Sequence, residues 1–438
     1  MKNLFVKIHG TLLILIILLL IIPFIQSEFN LIKLTPLKGA FTQSEKTHFN
    51  ISNWFSGTYQ EQGEKYLNET FGFRNLFIRI NNQLAFSFFN KANVWNVIIG
   101  KKNYLYDEIY IKAYYGTDFI GIDSTMHRMQ KLKYIQDTLS KLNKDIILVF
   151  GTGKGSFYPE YIPDRYKTKK GLTNYEIHVN LAQKMDINLI DFNKYFLKNK
   201  DKLKYPLYPQ YGIHWSNYAM CIAADSIIRY IEKKRKIDMP NLFWNAVELS
   251  QPKEVDYDIA DGMNLLFKLK SFNMAYPNIQ FESDSNKTKP SVLVISDSFY
   301  WGMFNFGITN AFTNSHFWYY NKEIYPDSYQ SPLVTSKINL KNEISRHDVI
   351  IIMATEPNLT NLGWGFIENA YNLFKGEKKQ TAFDAKFQTK ITNLRNYIKS
   401  DKKWMEDIKK KAILNKVSVD SMLTLDAIWQ IQHENKKQ

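Results

Sequence analysis

The stretch Ser291-Val-Leu-Val-Ile-Ser-Asp-Ser-Phe299 is a β-branched apolar run that stops abruptly at Asp297-Ser298. A short apolar run of this kind, bounded by polar residues, reads as a buried strand. A strand that ends on a small hydroxyl residue is where α/β folds present a nucleophile. Working outward, Asp145-Ile-Ile-Leu-Val-Phe150, Ile187-Asn-Leu-Ile-Asp-Phe192 and the run from Val349 to Met353 repeat the pattern. Helical periodicity separates these runs. Met126, Met129, Leu132, Ile135, Leu139 and Leu142 recur at helical spacing, which predicts a helix over 124–142 with Ser124 as its cap. Strands alternating with helices argue for an α/β fold with a mainly parallel sheet.

The rest of the chain frames that sheet. Residues 53–90 are aromatic-rich and predict helices with a turn at Phe71-Gly-Phe-Arg74. Val94-Trp-Asn-Val-Ile-Ile99 and the following segment to Tyr106 predict a hairpin about Gly100-Lys-Lys-Asn103. Lys-rich amphipathic helices are expected over 402–414 and 421–431. The organisation read here is a membrane helix (1–27), a linker with the start of the main domain (28–110), an α/β domain (111–375) and a helical tail (376–438).

The compartment is read from the N-terminus. Residues 4–25 are apolar, close to the roughly 20 residues that cross a bilayer. Lys2 and Lys7 precede the near-continuous Leu/Ile run of residues 11–24, so the positive-inside tendency sends the remainder of the chain outward. The exit, Pro23-Phe-Ile-Gln-Ser-Glu28, lacks a small-x-small cleavage pattern, which favours an uncleaved anchor. Cys221 is the single cysteine, which excludes an intramolecular disulfide; its apolar helical setting, Tyr218 to Ala224, reads as packing. With 438 residues, 45% of them hydrophobic, the chain can bury one large core or two smaller ones. The formal net charge of +15 suits an anionic polysaccharide or phospholipid surface, and an extracytoplasmic location argues against nucleic acid.

A serine hydroxyl is a poor nucleophile until a base removes its proton. Ser298 is the candidate nucleophile, and His214, in Tyr211-Gly-Ile-His-Trp-Ser216 ahead of an apolar helix, is the candidate base. The pair suggests acyl transfer. The backbone N–H of Ser298 and the Gly151-Thr-Gly-Lys-Gly155 loop are candidate oxyanion donors. Trp215, Trp301, Trp318 and Trp364, with Tyr319 and Tyr320, offer aromatic faces to sugar rings. No metal or other cofactor is expected, because the eight histidines form no His-x-x-x-His pair and cysteine is single.

On these features the chain resembles the SGNH-hydrolase-like alginate O-acetyltransferase family, periplasmic proteins of polysaccharide O-acetylation. The resemblance rests on Phe71-Gly-Phe-Arg74, Val97-Ile-Ile-Gly-Lys-Lys-Asn-Tyr-Leu-Tyr106, Lys154-Gly-Ser-Phe-Tyr-Pro159, His214-Trp215-Ser216 and Ser296-Asp-Ser-Phe299, in that order. It covers roughly residues 55–370 and implies a three-layer α/β sandwich. It also implies Ser298 and His214 as catalytic residues, Lys154 and Tyr158 as substrate contacts, and a multi-pass membrane O-acyltransferase as the source of the acyl group. We expect Trp215, Asp297 and Trp301 near the substrate too, with Asp297 bracing the serine turn. The family pattern is Asp-x-His-Trp, and the aspartate position here is Gly212. Glu356 is the preferred replacement, since it follows the last strand; Asp191 and a backbone carbonyl near Tyr211 are rivals. The reading is a membrane-anchored extracytoplasmic O-acyltransferase, with an esterase or a catalytically impaired polysaccharide-binding subunit as alternatives.

Overall fold

The computed structural model describes residues 2–39, 44–376, 382–414 and 419–434. It divides into two compact units, Met1–Ile367 and Glu368–Gln438. Ten strands lie in the first: β1 (Val97–Ile99), β2 (Leu105–Asp107), β3 (Asp145–Gly151), β4 (Leu189–Asp191), β5 (Leu242–Ser250), β6 (Met274–Phe281), β7 (Ser291–Ser296), β8 (Thr313–Tyr319), β9 (Glu323–Tyr325) and β10 (Val349–Thr355).

Six of them form the central sheet, in the order β4-β3-β10-β7-β8-β9. Every neighbouring pair is parallel except β8 and β9. β3, β7 and β10 are the apolar runs seen in the sequence, and they sit centrally because both of their faces are covered. On one face Val149, Val294, Ile351 and Met353 share a core with Ala223, Ile227 and Ile231 of helix Asn217–Arg235. On the other, helix Ile122–Lys141 crosses β3 and buries Met129, Leu132, Ile135 and Leu139. The result is the helix–sheet–helix sandwich of the SGNH-like fold. β5 and β6 form a separate antiparallel pair. β1 and β2 form the expected hairpin.

Helix 122–141 starts two residues before the expected cap. Gly121 is the N-cap and Thr125 Oγ1 bonds its carbonyl, while Ser124 lies inside the helix. The positive φ of 93° at Gly121 turns the chain sharply enough to start the helix early.

Helix Lys2–Phe29 contains a span, Ile8–Phe29, long and apolar enough to cross a membrane. Its end is fastened by Ser27 Oγ donating to the Thr70 carbonyl and by Gly72, where a Cβ would collide with the Pro23 carbonyl. Cys221 is buried in helix Asn217–Arg235, and burial pushes its thiol up to about 12. In the second unit, helices Ala382–Ser400, Lys402–Leu414 and Val419–Glu434 bury Ile391, Ile398, Ile408 and Leu423 among themselves.

Candidate active site

Register fixes where β7 delivers its last residues. Ser296 pairs with Met353, so β10 runs two residues further, to Thr355. Asp297 turns back against that extension. Its Oδ2 accepts from Thr355 N (2.9 Å), Thr355 Oγ1 (2.8 Å) and Asn358 Nδ2 (2.8 Å), and its Oδ1 accepts from Phe299 N (3.0 Å). Asp297 is fully buried, which makes it the brace of the turn and removes it as a substrate contact. Ser298, one residue on, is partly exposed at the carboxyl edge of the sheet.

His214 reaches the serine from the loop before helix Asn217–Arg235. Its Nε2 lies 3.0 Å from Ser298 Oγ. Trp215 anchors that loop: it has no exposed surface and packs edge-on against Phe192, Phe196 and Phe299. It therefore offers no face to a sugar. Removing so large a buried ring typically costs about 3–5 kcal/mol. Ser216 caps the helix through Ala219 N and donates its own hydroxyl to the Pro206 carbonyl.

The other imidazole nitrogen, Nδ1, lies 2.6 Å from Asp258 Oδ2. Asp258 opens the short helix Asp258–Gly262, and its Oδ1 accepts from the main-chain N–H of Ile213 (2.9 Å) and Ile259 (2.6 Å). The carboxylate is thus oriented by the residue beside the histidine it serves. Ser298, His214 and Asp258 form a continuous hydrogen-bonded row, with the base held between acid and alcohol. Such a row fixes the tautomer in which Nε2 can accept the serine proton.

Glu356 is not in that row. It emerges at the expected sheet edge but turns toward the β3 side of β10. There Oε2 accepts from Gly153 N (2.8 Å), and Oε1 from Ser156 Oγ (2.6 Å) and Asn193 Nδ2 (2.7 Å). Ser298 follows β7, on the opposite side of β10. Burial pushes the Glu356 carboxyl up to about 7, against these three donors. Its bond also occupies the Gly153 N–H, so that amide of the glycine-rich loop is not free for an oxyanion. Asp191, the rival acid, accepts from Tyr175 and caps the helix that follows it.

Lys154 is likewise removed from substrate. It has no exposed surface, and its Nζ donates to the carbonyls of Gln210 (2.9 Å) and Gly212 (2.6 Å). Burial lowers its ammonium to about 7, a shift opposed by Asp258 and Asp256. Tyr158 is half-buried among Tyr104, Phe157 and Tyr161 and donates to the Tyr208 carbonyl (3.2 Å). Trp301 is half-buried and packs edge-on against Phe317 and Tyr325. Tyr320 is the aromatic residue that does meet the serine. Burial and Asp297 push its phenol up to about 12, and both the hydroxyl and the main-chain N–H of Ser298 interact with it in the opposite sense. Tyr320 is thus a neighbour of Ser298, and its phenolic O–H is a candidate second oxyanion donor.

Asp258 escaped sequence reasoning, and Tyr320 was read there only as an aromatic face for a sugar. Asp258 stands 44 positions after His214 (258 − 214), without a motif of its own. Tyr320 owes its place to a left-handed backbone, φ 49°, just after β8. A weak signal for Asp258 existed in Asp256-Tyr-Asp258, an acidic run ahead of a short apolar segment.

Residues 97–258 match the family model described as the SGNH hydrolase-like domain of the acetyltransferase AlgX. The match takes in Lys154, His214 and, at its last position, Asp258. No curated protein matches the sequence. Among solved structures, the O-acetyltransferase domain of Pseudomonas putida AlgJ is 14% identical with a TM-score of 0.43, over 64% of this chain and 99% of that one. Pseudomonas aeruginosa AlgX is 11% identical with a TM-score of 0.41, over 65% of this chain and 71% of that one. Bacillus cereus PatB1 is 12% identical with a TM-score of 0.36, over 56% and 93%. The resemblance drawn from the motifs is met over residues 97–258, where the chain is similar to the SGNH hydrolase-like domain of the acetyltransferase AlgX.

Proposed function

We propose that the chain is an extracytoplasmic, serine-dependent O-acyltransferase that moves an acetyl group onto a secreted or cell-surface polysaccharide. The observation that carries this reading is the row Ser298–His214–Asp258 at the carboxyl edge of a parallel sheet. The family-model match to an acetyltransferase domain supports the reaction class. The apolar helix Ile8–Phe29 supports anchoring in the inner membrane with the domain outside. The net charge of +15 suits an anionic glycan.

In this mechanism His214 Nε2 takes the proton of Ser298 as Oγ attacks the acyl carbonyl. The tetrahedral oxyanion faces the Ser298 N–H and the Tyr320 hydroxyl. His214 returns the proton to the leaving group of the donor, and an acyl-serine remains. A sugar hydroxyl then enters, gives its proton to His214 and attacks the ester; the proton passes back to Ser298 Oγ as the acylated sugar leaves. Asp258 holds the imidazole and stabilises its charged form throughout. The donor is an acyl group passed across the membrane by a multi-pass O-acyltransferase. An impaired binding subunit is the weaker reading, because its motive was the missing acid at Gly212 and Asp258 occupies that role.

The test is transfer of labelled acetyl from a small ester to an oligosaccharide by purified protein. Ser298→Ala must abolish incorporation, and unaltered incorporation in that variant overturns the reading. Release of free acetate without transfer to any acceptor selects an esterase instead.

A further inference from the structure

A second cluster of chemically competent side chains lies at the other end of the sheet. His316 is on β8, where it pairs with Leu293 of β7. Glu343 and His347 stand one turn apart, at the helix Leu340–Arg346 and its C-cap. Leu293 precedes Ser298 by five residues, or about 16 Å of strand, so the cluster is remote from the serine. One ligand atom from each of the three residues can be chosen so that all lie within 4.8 Å of one another.

The outward nitrogens are already engaged. His316 Nε2 lies 3.3 Å from Asp327 Oδ2, and His347 Nε2 lies 3.0 Å from the Asn314 carbonyl. A neutral imidazole that donates there keeps its lone pair on Nδ1. Both Nδ1 atoms then face Glu343: His316 Nδ1 at 3.2 Å and His347 Nδ1 at 3.6 Å from the same Oε1. In that tautomer the two Nδ1 lone pairs and Glu343 Oε1 converge on one point. In the other tautomer His347 Nδ1 donates to the Glu343 carbonyl oxygen at 2.8 Å, a bond that a metal at Nδ1 would replace.

Burial sharpens the problem. Glu343 is 4% exposed and His347 is fully buried. Neither His316 Nδ1 nor Glu343 Oε1 has a hydrogen-bond partner, although both are sealed from solvent. An orphaned buried carboxylate oxygen is costly. The nearest formal cation other than the imidazoles, Arg346, reaches Oε1 at 3.5 Å from a half-exposed position and does not close the cluster.

We propose that His316, Glu343 and His347 bind a divalent transition metal, zinc by donor type, as a structural staple of the β8 edge. Two imidazoles and a carboxylate are a zinc donor set, and ligands about 2.0–2.1 Å from a tetrahedral ion stand roughly 3.3 Å apart. The observed 3.2 and 3.6 Å separations bracket that edge length. Asp327 and the Asn314 carbonyl are the outer acceptors that orient each ring, the usual second layer of a histidine–metal site. Water completes the fourth position. The metal would tie β8 to the helix that feeds β10.

The experiment is metal content and thermal melting of the full-length protein, purified in detergent without a polyhistidine tag. After equilibration with micromolar free zinc and removal of excess, the wild-type chain should hold one zinc per chain and melt higher than in chelator. Glu343→Gln, close in shape, and His316→Asn should each lose the zinc and the zinc-dependent part of the melting shift. Asp327→Asn should weaken zinc binding about tenfold, the scale of outer-shell changes. Wild-type protein that retains no zinc and melts identically with and without it overturns the proposal. Retention of zinc by both Glu343→Gln and His316→Asn overturns it equally, by placing the ion elsewhere.

Discussion

The Cα of Gly212 is pressed against the carbonyl of Val255, so that a Cβ there would collide with that oxygen and come within 2.8 Å of the Asp256 carbonyl carbon. The segment that excludes a side chain from position 212 is the one that supplies Asp258 to His214. Acid and exclusion are therefore linked: the loop 255–258 fills the space an aspartate at 212 would use and brings its own carboxylate. Restoring the family motif should consequently fail. Gly212→Asp is expected to destabilise by at least the 1–3 kcal/mol of an overpacked core. It should leave Asp258→Ala inactive. Melting temperature and acetyl incorporation in the single and double variants check both parts.

Asp258→Asn separates the two candidate acids. An asparagine can face Nδ1 with either end of its amide and no longer enforces the tautomer. In a serine protease the comparable change costs about 10⁴ in rate, and a loss of that order is expected here. Glu356→Gln should cost far less, because Glu356 braces Gly153 and Ser156 rather than His214. Labelling of Ser298 by a serine-reactive probe, timed in both variants, gives the comparison without an acceptor sugar.

The central strands were legible because β3, β7 and β10 are continuously apolar between their polar ends, the pattern of a doubly covered sheet. The meeting of Ser298 with His214 was legible because each stands at a break between an apolar segment and a polar turn. β8 was not, since Thr313-Asn-Ser-His-Phe-Trp-Tyr319 opens with polar residues that suit a loop. Asp258 was hidden because only the weak acidic run Asp256-Tyr-Asp258 marks it locally; tertiary packing against Gly212 brings it to the histidine. Lys154 and Trp215 were misread for a common reason. Both lie in motifs beside the chemistry, and both act by burial, which a motif does not display. The second histidine cluster was missed because the search asked for His-x-x-x-His on one helix, whereas its helical pair is Glu343 and His347.

Tyr320 tests the oxyanion assignment. Loss of one oxyanion donor costs about 10²–10³ in kcat in a well-studied serine protease. Tyr320→Phe removes only the hydroxyl and keeps the ring that packs edge-on to Trp364 at 5.1 Å. We expect kcat to fall on that scale while the melting temperature holds. An unchanged kcat would remove Tyr320 from the site.

Asp256 gives a pH dependence of definite sign. It is fully buried, and burial pushes its carboxyl up to about 7 from the usual carboxylate range. A carboxyl raised on folding favours the folded state while protonated, so this contribution is lost as pH rises from about 4 to about 7. Glu356, raised to about 7 by burial, acts in the same direction over the same window. Lys154 acts above it: lowered to about 7, it returns stability as pH rises from there toward 10.5. Melting curves should therefore show lower stability at pH 7 than at pH 5. Asp256→Asn, which stays neutral throughout, should flatten that slope.

Lys154 is expected to govern the placement of His214 rather than the hold on the glycan. Its Nζ ties the carbonyls of Gln210 and Gly212, and Gly212 is two residues before the base. Lys154→Met keeps the length of the chain but leaves both carbonyls without that donor, at a cost of about 1–3 kcal/mol for each that stays buried. The loop should then relax, and the Ser298–His214 contact of 3.0 Å should lengthen. Steady-state kinetics distinguish the roles. A positioning lysine lowers kcat with the acceptor KM nearly unchanged, whereas a lysine that touches substrate raises the acceptor KM. Slower acylation of Ser298 by a small ester, measured with no glycan present, would assign the loss to the first half of the reaction, where no sugar is there to be held.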